Sequence, residues 1–139
     1  MHATAIAKGD HAALILGPSG SGKSSLALQL ISLGCCLISD DQTELFEKNG
    51  VLFCRKPDSL PALIEAREFG LLSVPMQPEA QVSCLIDMTH TETERLPEPQ
   101  THSISGHNIT LFQKSTMVHF PAAIVLYLDR EKGPPSRVV

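Results

Sequence analysis

Tryptophan is absent from the chain and tyrosine occurs once. Large aromatics therefore cannot dominate the interior, and the core must rest on Leu, Ile, Val and Ala. No basic stripe is present and the formal net charge is −4, which argues against a nucleic-acid binder, since backbone phosphates need a cationic surface. The start, MHATAIAKGDHAALILG, lacks the basic region and long apolar stretch of a signal peptide. Its apolar run AALIL has a strand's length and falls far short of a membrane span. The four cysteines, Cys35, Cys36, Cys54 and Cys84, form no CxxC pair, and are expected to be reduced, small buried hydrophobes of a cytoplasmic protein. The six histidines are scattered; the spacing of His102 and His107 suits no helical metal pair. Repeats and low-complexity segments are missing as well.

With 139 residues, the chain has room for one domain with one sizeable core. Its 42% hydrophobic and 19% charged residues fit a globular fold rather than a disordered chain. Residues 3–7 alternate as a short strand, KGDH turns, and 12–16 form a continuous apolar strand of the kind buried on both faces of an α/β sheet. Leu26, Leu30 and Leu33 then recur at helical spacing beside Ala27 and Ile31, with Gly34 placed as a C-cap. CCLIS (35–39) is the next strand. Together these predict a strand–loop–helix–strand unit with a right-handed crossover in a parallel sheet. KNG reads as a hairpin turn into VLFCR. A short helix is expected over 63–67, strands over GLLSVP and VSCLIDM, a long loop through TERLPEPQTHSISGHN, and a strand at ITLFQ. Ser115 resembles an N-cap for a final helix, although the β-rich AIVLYL also allows a strand. Residues 1–130 are read as the single domain and 131–139 as a frayed tail.

The chemistry starts at Gly17-x4-Gly22-Lys23-Ser24, a complete phosphate loop between an apolar strand and an amphipathic helix. The segment Gly17, Pro18, Ser19, Gly20, Ser21, Gly22, Lys23, Ser24 and Ser25 is the expected nucleotide cradle. Its glycines let successive N–H groups turn toward phosphate oxygens at a helix N-terminus. Lys23 should reach the β- and γ-phosphates of ATP, and the Ser24 hydroxyl should hold Mg²⁺. Asp40 and Asp41 follow the next strand, at the carboxyl end where ligands bind in open α/β sheets. One of the two suits support of the metal; the other, facing differently, suits proton abstraction from a hydroxyl nucleophile. Glu65 and Arg67, before an apolar strand, and Arg95, in the long loop, would each pass alone as surface charges.

In combination, MHAT, GPSGSGKS, SDDQTEL, IEAREFGLL and ERLPEP resemble, in order and in type, the motifs of the bacterial HPr kinase/phosphorylases. The resemblance runs from His2 to about Phe112 and is to the short alphaproteobacterial form, a catalytic domain alone. It implies an α/β phosphate-loop domain of the HPr kinase C-terminal, PEP carboxykinase-like type, with a mixed central sheet and flanking helices. It also implies an ATP- and Mg²⁺-dependent protein-serine kinase acting on an HPr-type phosphocarrier of the phosphotransferase system. The reverse, phosphorylase reaction would use inorganic phosphate and yield pyrophosphate, and the expected assembly is a homo-oligomer, a hexamer in the family. By the same resemblance Asp41 matches the proton acceptor for the serine hydroxyl. His2, Lys23 and Arg95 match further active-site positions, and Ser24 and Glu65 match magnesium ligands, with Asp40 beside them. The bottom-up reading agrees: a hydroxyl nucleophile needs a base near the transferred phosphoryl group, and cations must neutralise its charge.

The chain departs from the family pattern at Ser25, where Glu usually follows Gly-Lys-Ser, and at Glu68, where Gly usually follows Arg. The loop that the family associates with dephosphorylation is not recognisable around 109–114, so kinase activity is better supported than phosphorylase activity. A small-molecule kinase would need a basic lid, and no Arg-rich lid segment is present. A nucleotide-binding regulatory module without turnover has only Ser25 and Glu68 in its favour, against the retained Asp40, Asp41, Glu65 and Arg95.

Overall fold

A computed structural model describes residues 1–129. Its first four elements build the frame of the site: β1 (Ala3–Lys8), β2 (His11–Leu16), α1 (Lys23–Ser32) and β3 (Cys36–Ser39). β4 (Glu44–Lys48) and β5 (Val51–Arg55) form a hairpin, followed by the short strands β6 (Ile64–Ala66) and β7 (Gly70–Leu72). The long β8 (Glu79–Thr91) precedes β9 (Gln100–Ile104), β10 (His107–Lys114) and α2 (Phe120–Leu128). The main sheet runs β3-β1-β2-β8-β10-β9, with β5 also pairing β8 and carrying β4. It is mixed: β2, β8 and β10 are parallel, while β1 is antiparallel to both β2 and β3.

The period-2 alternation of β1 and β2 divides the interior in two. Ile6, Ala13 and Ile15 face a core shared with Leu26, Ala27 and Leu30 of α1 and Ile124, Val125 and Leu128 of α2. Ala3, Ala5, Ala7, Ala12 and Leu14 face the opposite core, with Ile38, Leu52, Cys54, Leu85 and Ile109. Both helices therefore cover one face. On the other, the row of small alanines faces residues of β5, β9 and β10, strands of the same sheet. The edge of β3 is closed by the 75–77 segment, through Leu37 N–H to the Pro75 carbonyl (2.8 Å) and Gln77 N–H to the Leu37 carbonyl (2.9 Å). This leaves no open ladder there for edge-to-edge pairing.

Four local expectations are corrected. First, the strand–helix–strand unit does not make two adjacent parallel strands: β1 lies between β2 and β3 and runs against both. The tight Gly9–Asp10 turn made a β1–β2 hairpin the nearer pairing. Second, residues 63–67 are not helical, because β6 pairs antiparallel with β7 as a separate two-stranded sheet. Third, the long polar stretch contains β9, which pairs with β10 across a turn where Ser105 and Gly106 both have positive φ. Fourth, Ser115 does not cap the final helix. Its hydroxyl accepts the Met117 N–H (3.1 Å), and α2 starts at Phe120 with His119 as N-cap. The expected frayed tail, 131–139, lies outside the described residues.

Candidate active site

Because β1 runs antiparallel between β2 and β3, it begins where those two strands end. His2, just before β1, and Thr4, within it, thus arrive beside the phosphate loop and the Asp40–Asp41 turn.

Gly22 caps α1 at φ 99°, without a side-chain hydrogen bond and without an acidic residue in the first turn. The first N–H groups of α1 are therefore left uncapped for an anion. Gly17 has φ 147°, and a Cβ there would come within 2.6 Å of Ser21 Oγ and 3.1 Å of Met88 Cβ. The loop can close this tightly only with glycine at that position. Among the described residues, Ser21 Oγ is the one buried side-chain polar atom without a hydrogen-bond partner. An orphan hydroxyl inside such a turn suits a phosphate oxygen as its missing acceptor.

Lys23 is only 6% exposed. Its ammonium donates to the Gly17 carbonyl at 2.6 Å and lies 3.6 Å from Asp41 Oδ1. His2 Nε2 is 2.7 Å from the same carboxylate oxygen and 3.2 Å from Lys23 Nζ. One ring nitrogen cannot donate to Asp41 and accept from Lys23 at once. With Nε2 protonated and bonded to Asp41, the lysine is left with Gly17 and the carboxylate.

The two aspartates are separated by conformation. Asp40 Oδ1 accepts from Ser24 Oγ and from Thr4 Oγ1, each at 2.9 Å. Asp41 has φ 71° and occupies the centre of a three-residue turn closed by Gln42 N–H to the Asp40 carbonyl at 2.9 Å. That left-handed backbone is costly for a side-chain-bearing residue and is the kind of strain found at functional sites. Thr4 Oγ1 also accepts the Asp41 N–H at 3.1 Å. Ser39 Oγ donates to the Gln42 carbonyl, and Thr43 Oγ1 donates to the Ala3 carbonyl at 2.8 Å. The turn is thereby held on both sides. Asp40 faces Ser24, while Asp41 stays 60% exposed at the rim.

Gly22, Lys23, Ser24, Asp40 and Asp41 border a cavity of about 390 Å³ that also takes in Ser19, Gly20, Ser25, Glu65 and Arg67. Buried Ile64 of β6 anchors the strand in the helical core, and Glu65 of the same strand and Arg67, just after it, line the cavity. Lys23, Ser24, Asp40, Asp41 and Glu65 therefore meet at one place, with His2 bonded to Asp41. Arg95 does not line this cavity; it is exposed in the 92–99 loop after β8, at the same end of the sheet. Thr4, bonded to both aspartates, is the residue of the candidate site that sequence reasoning missed. Its signal was a single polar residue in the apolar alternation ATAIA, two positions after His2.

The donor set fits a magnesium-bound nucleotide. Ser24 and Asp40 share a hydrogen bond of 2.9 Å, and Glu65 faces the same space, in keeping with an ion that keeps several waters and uses one or two carboxylates. Among the described residues, no group of three or more His, Cys, Asp or Glu side chains could hold a metal by itself. No helix of the described residues is long and apolar enough to cross a membrane.

Comparison with known proteins gives a consistent picture. The family model described as HPr Serine kinase C-terminal domain matches residues 1–110. The HPr kinase/phosphorylases of Polaromonas naphthalenivorans and Verminephrobacter eiseniae are each 36% identical over 107 residues, covering 67% of this chain and 34% of theirs. The chain thus spans about a third of the length of these curated relatives. Among solved structures, the Hpr(Ser) kinase/phosphatase from Coxiella burnetii superposes with a TM-score of 0.73 at 25% identity, over 91% of this chain and 86% of the other.

Proposed function

The chain belongs to the HPr serine kinase C-terminal domain family, and from that premise we propose that it is an ATP-dependent protein-serine kinase acting on an HPr-type phosphocarrier protein. The observation that carries this reading is the division of labour between the two aspartates. Asp40 is tied to Ser24, the phosphate-loop hydroxyl. Asp41 is turned out to the rim with His2 and Lys23 on one oxygen. A free serine hydroxyl on a partner protein can approach an exposed carboxylate, whereas a buried one would serve only a small substrate.

Lys23 holds the loop closed through the Gly17 carbonyl and supplies positive charge where phosphate charge accumulates. Magnesium, when bound, neutralises phosphate charge and orients the transferred group; Ser24, Asp40 and Glu65 are the residues that would hold it. Asp41 accepts the serine proton as the bond from the serine oxygen to the γ-phosphorus forms and the bond from that phosphorus to the β,γ-bridging oxygen breaks, releasing ADP. The His2 contact orients its carboxylate toward the rim, and Arg95, on the loop beyond β8, is proposed as a further cation of the site. The reverse reaction would use the same residues: protonated Asp41 would return its proton to the serine oxygen as inorganic phosphate takes the phosphoryl group from phosphoserine, forming pyrophosphate. A cytoplasmic location and a homo-oligomeric, hexameric assembly complete the reading.

The deciding experiment is incubation with γ-labelled ATP, Mg²⁺ and HPr-type carriers, followed by mass spectrometry of the carrier. Phosphoserine on the carrier is the expected result. Nucleotide binding with no transfer to any carrier would leave a binding module without turnover.

A further inference from the structure

β6 and β7 form a two-stranded sheet of their own, and its two faces are used differently. Ile64 pairs with Leu72, and both pack into the helical core. Glu65 pairs with Leu71, and residues directly opposite one another share a face. Glu65 lines the phosphate cavity, so Leu71 continues the outward face at the cavity's edge. Leu71 is 68% exposed, and Phe69, in the turn between the strands, is 80% exposed. The other four phenylalanines are all partly buried. Between Arg67 of the cavity wall and Phe69 stands Glu68, with φ 66°. Glycine meets that conformation without cost, whereas a glutamate is strained there. Its side chain is exposed, and among the described residues no hydrogen bond or ion pair engages it.

We propose that the 66–71 turn is the docking surface for the acceptor protein, whose apolar patch covers Phe69 and Leu71 and whose lysine or arginine pairs with Glu68. The proposal rests on the reading of the site as that of a protein-serine kinase. An exposed aromatic beside an exposed aliphatic has the composition of an interface centre, and a flanking carboxylate that of its rim. Charge complementarity gives the sign of the partner. On and beside the cavity wall Asp41, Glu65 and Glu68 are exposed carboxylates, while Lys23 is buried and only His2 and Arg67 are exposed basic side chains. A magnesium-bound nucleotide adds further negative charge. A basic residue next to the acceptor serine is therefore drawn to this rim, and an acidic one is repelled. A protein seated on Phe69 and Leu71 adjoins Glu65, and its hydroxyl meets the cavity from the open side where Asp41 lies.

The test separates carrier binding from phosphoryl transfer. An HPr-type carrier is titrated calorimetrically into the full chain loaded with Mg²⁺ and a non-hydrolysable ATP analogue, and into Phe69→Ser and Glu68→Lys treated alike. The same proteins are assayed for steady-state transfer. Both side chains are exposed, so neither substitution removes core packing. The expected result is carrier affinity lowered about tenfold in each variant, matched by a rise in carrier KM, with kcat and the KM for ATP unchanged. Glu68→Gln should flatten the salt dependence of carrier binding, since rim charges act through screened attraction. Unchanged carrier affinity in either variant, or an equal loss of ATP affinity, overturns the proposal. A smaller assembly in Phe69→Ser, with carrier affinity intact, gives this face to a second copy and overturns it as well. Normal transfer with unchanged carrier KM removes the docking surface and leaves the kinase reading standing. Carrier held through these residues without transfer removes only the proposed activity, and a chain that binds no carrier overturns both.

Discussion

Thr4 Oγ1 donates to Asp40 Oδ1 at 2.9 Å across 36 positions of sequence, and so joins the first strand to the turn that bears both carboxylates. The same oxygen receives the Asp41 N–H, and Thr4 is fully buried. Thr4→Val keeps the shape and deletes both roles, leaving the Asp41 N–H without its partner. The expected cost is about 1–3 kcal/mol of stability, together with slower phosphoryl transfer. Urea unfolding beside the transfer assay checks this, and a variant with native stability and rate would reduce Thr4 to a space-filling residue.

Asp41→Asn tolerates the left-handed turn, since Asn populates that region readily, and removes the base. It should retain Mg·ATP binding and lose ~10²–10⁴-fold in transfer rate. Asp40→Asn should instead weaken nucleotide binding or lower stability, because it alters the partner of Ser24 and Thr4. Labelled-phosphate transfer and nucleotide affinity, measured on both variants, separate these roles. A wild-type rate in Asp41→Asn contradicts the mechanism even with the family assignment intact.

Glu65 faces the cavity without being needed for the β6–β7 pairing. Glu65→Gln is therefore expected to leave the unfolding curve in place and raise the Mg²⁺ concentration required for half-maximal transfer. If the magnesium dependence does not move, Glu65 is a surface charge.

Glu68 sits at the third position of a turn closed by Phe69 N–H to the Ala66 carbonyl at 2.8 Å, with φ 66°. That conformation favours glycine, so Glu68→Gly should raise stability by about 1 kcal/mol. Thermal unfolding at matched pH reads the change; a lower melting temperature would show that the glutamate side chain contributes more than its backbone costs.

Burial raises the Cys35 thiol from an ordinary value near 9 to about 11, and the Cys54 and Cys84 thiols to about 12. Above pH 9 the unfolded chain loses these protons while the folded chain keeps them. The unfolded state then binds fewer protons, and stability falls as pH rises from about 9 toward 11–12. Urea midpoints at pH 8 and pH 10.5 should show this decline. At pH 8, iodoacetamide should modify partly exposed Cys36 and reach the other three only in denaturant. Rapid modification of Cys84 under native conditions would contradict its burial.

The elements around the phosphate loop were legible because each obeys one strong local rule. Apolar continuity marks β2, the Leu26–Leu30 spacing marks α1, and Asn49–Gly50 marks the hairpin into β5. What escaped sequence reading depends on pairing over distance. β6 has no local strand signature and exists through its partner β7. β9 is polar because most of it is exposed, so its strand character lies in backbone bonds to β10 alone. The placement of β1 between β2 and β3 is likewise a property of the sheet and is invisible in any one segment. The residues that meet at the cavity were named from motifs, yet Thr4 belongs to no motif. Arg95 came from a motif and stands outside the cavity, which no local pattern could have indicated.

The insertion of β1 between β2 and β3 also bears on how the chain folds. The bonds that set the carboxylate turn, from His2, Thr4 and Thr43, each close loops of 36–40 residues. Such contacts pay their chain-closure entropy before they gain anything, so no folding intermediate with a detached first strand can hold an organised site. The nucleotide cradle of loop and helix is local and can form early. The Asp41 carboxylate takes its orientation only when the sheet closes, so on the proposed reading phosphate binding is acquired in folding before the competence to transfer it.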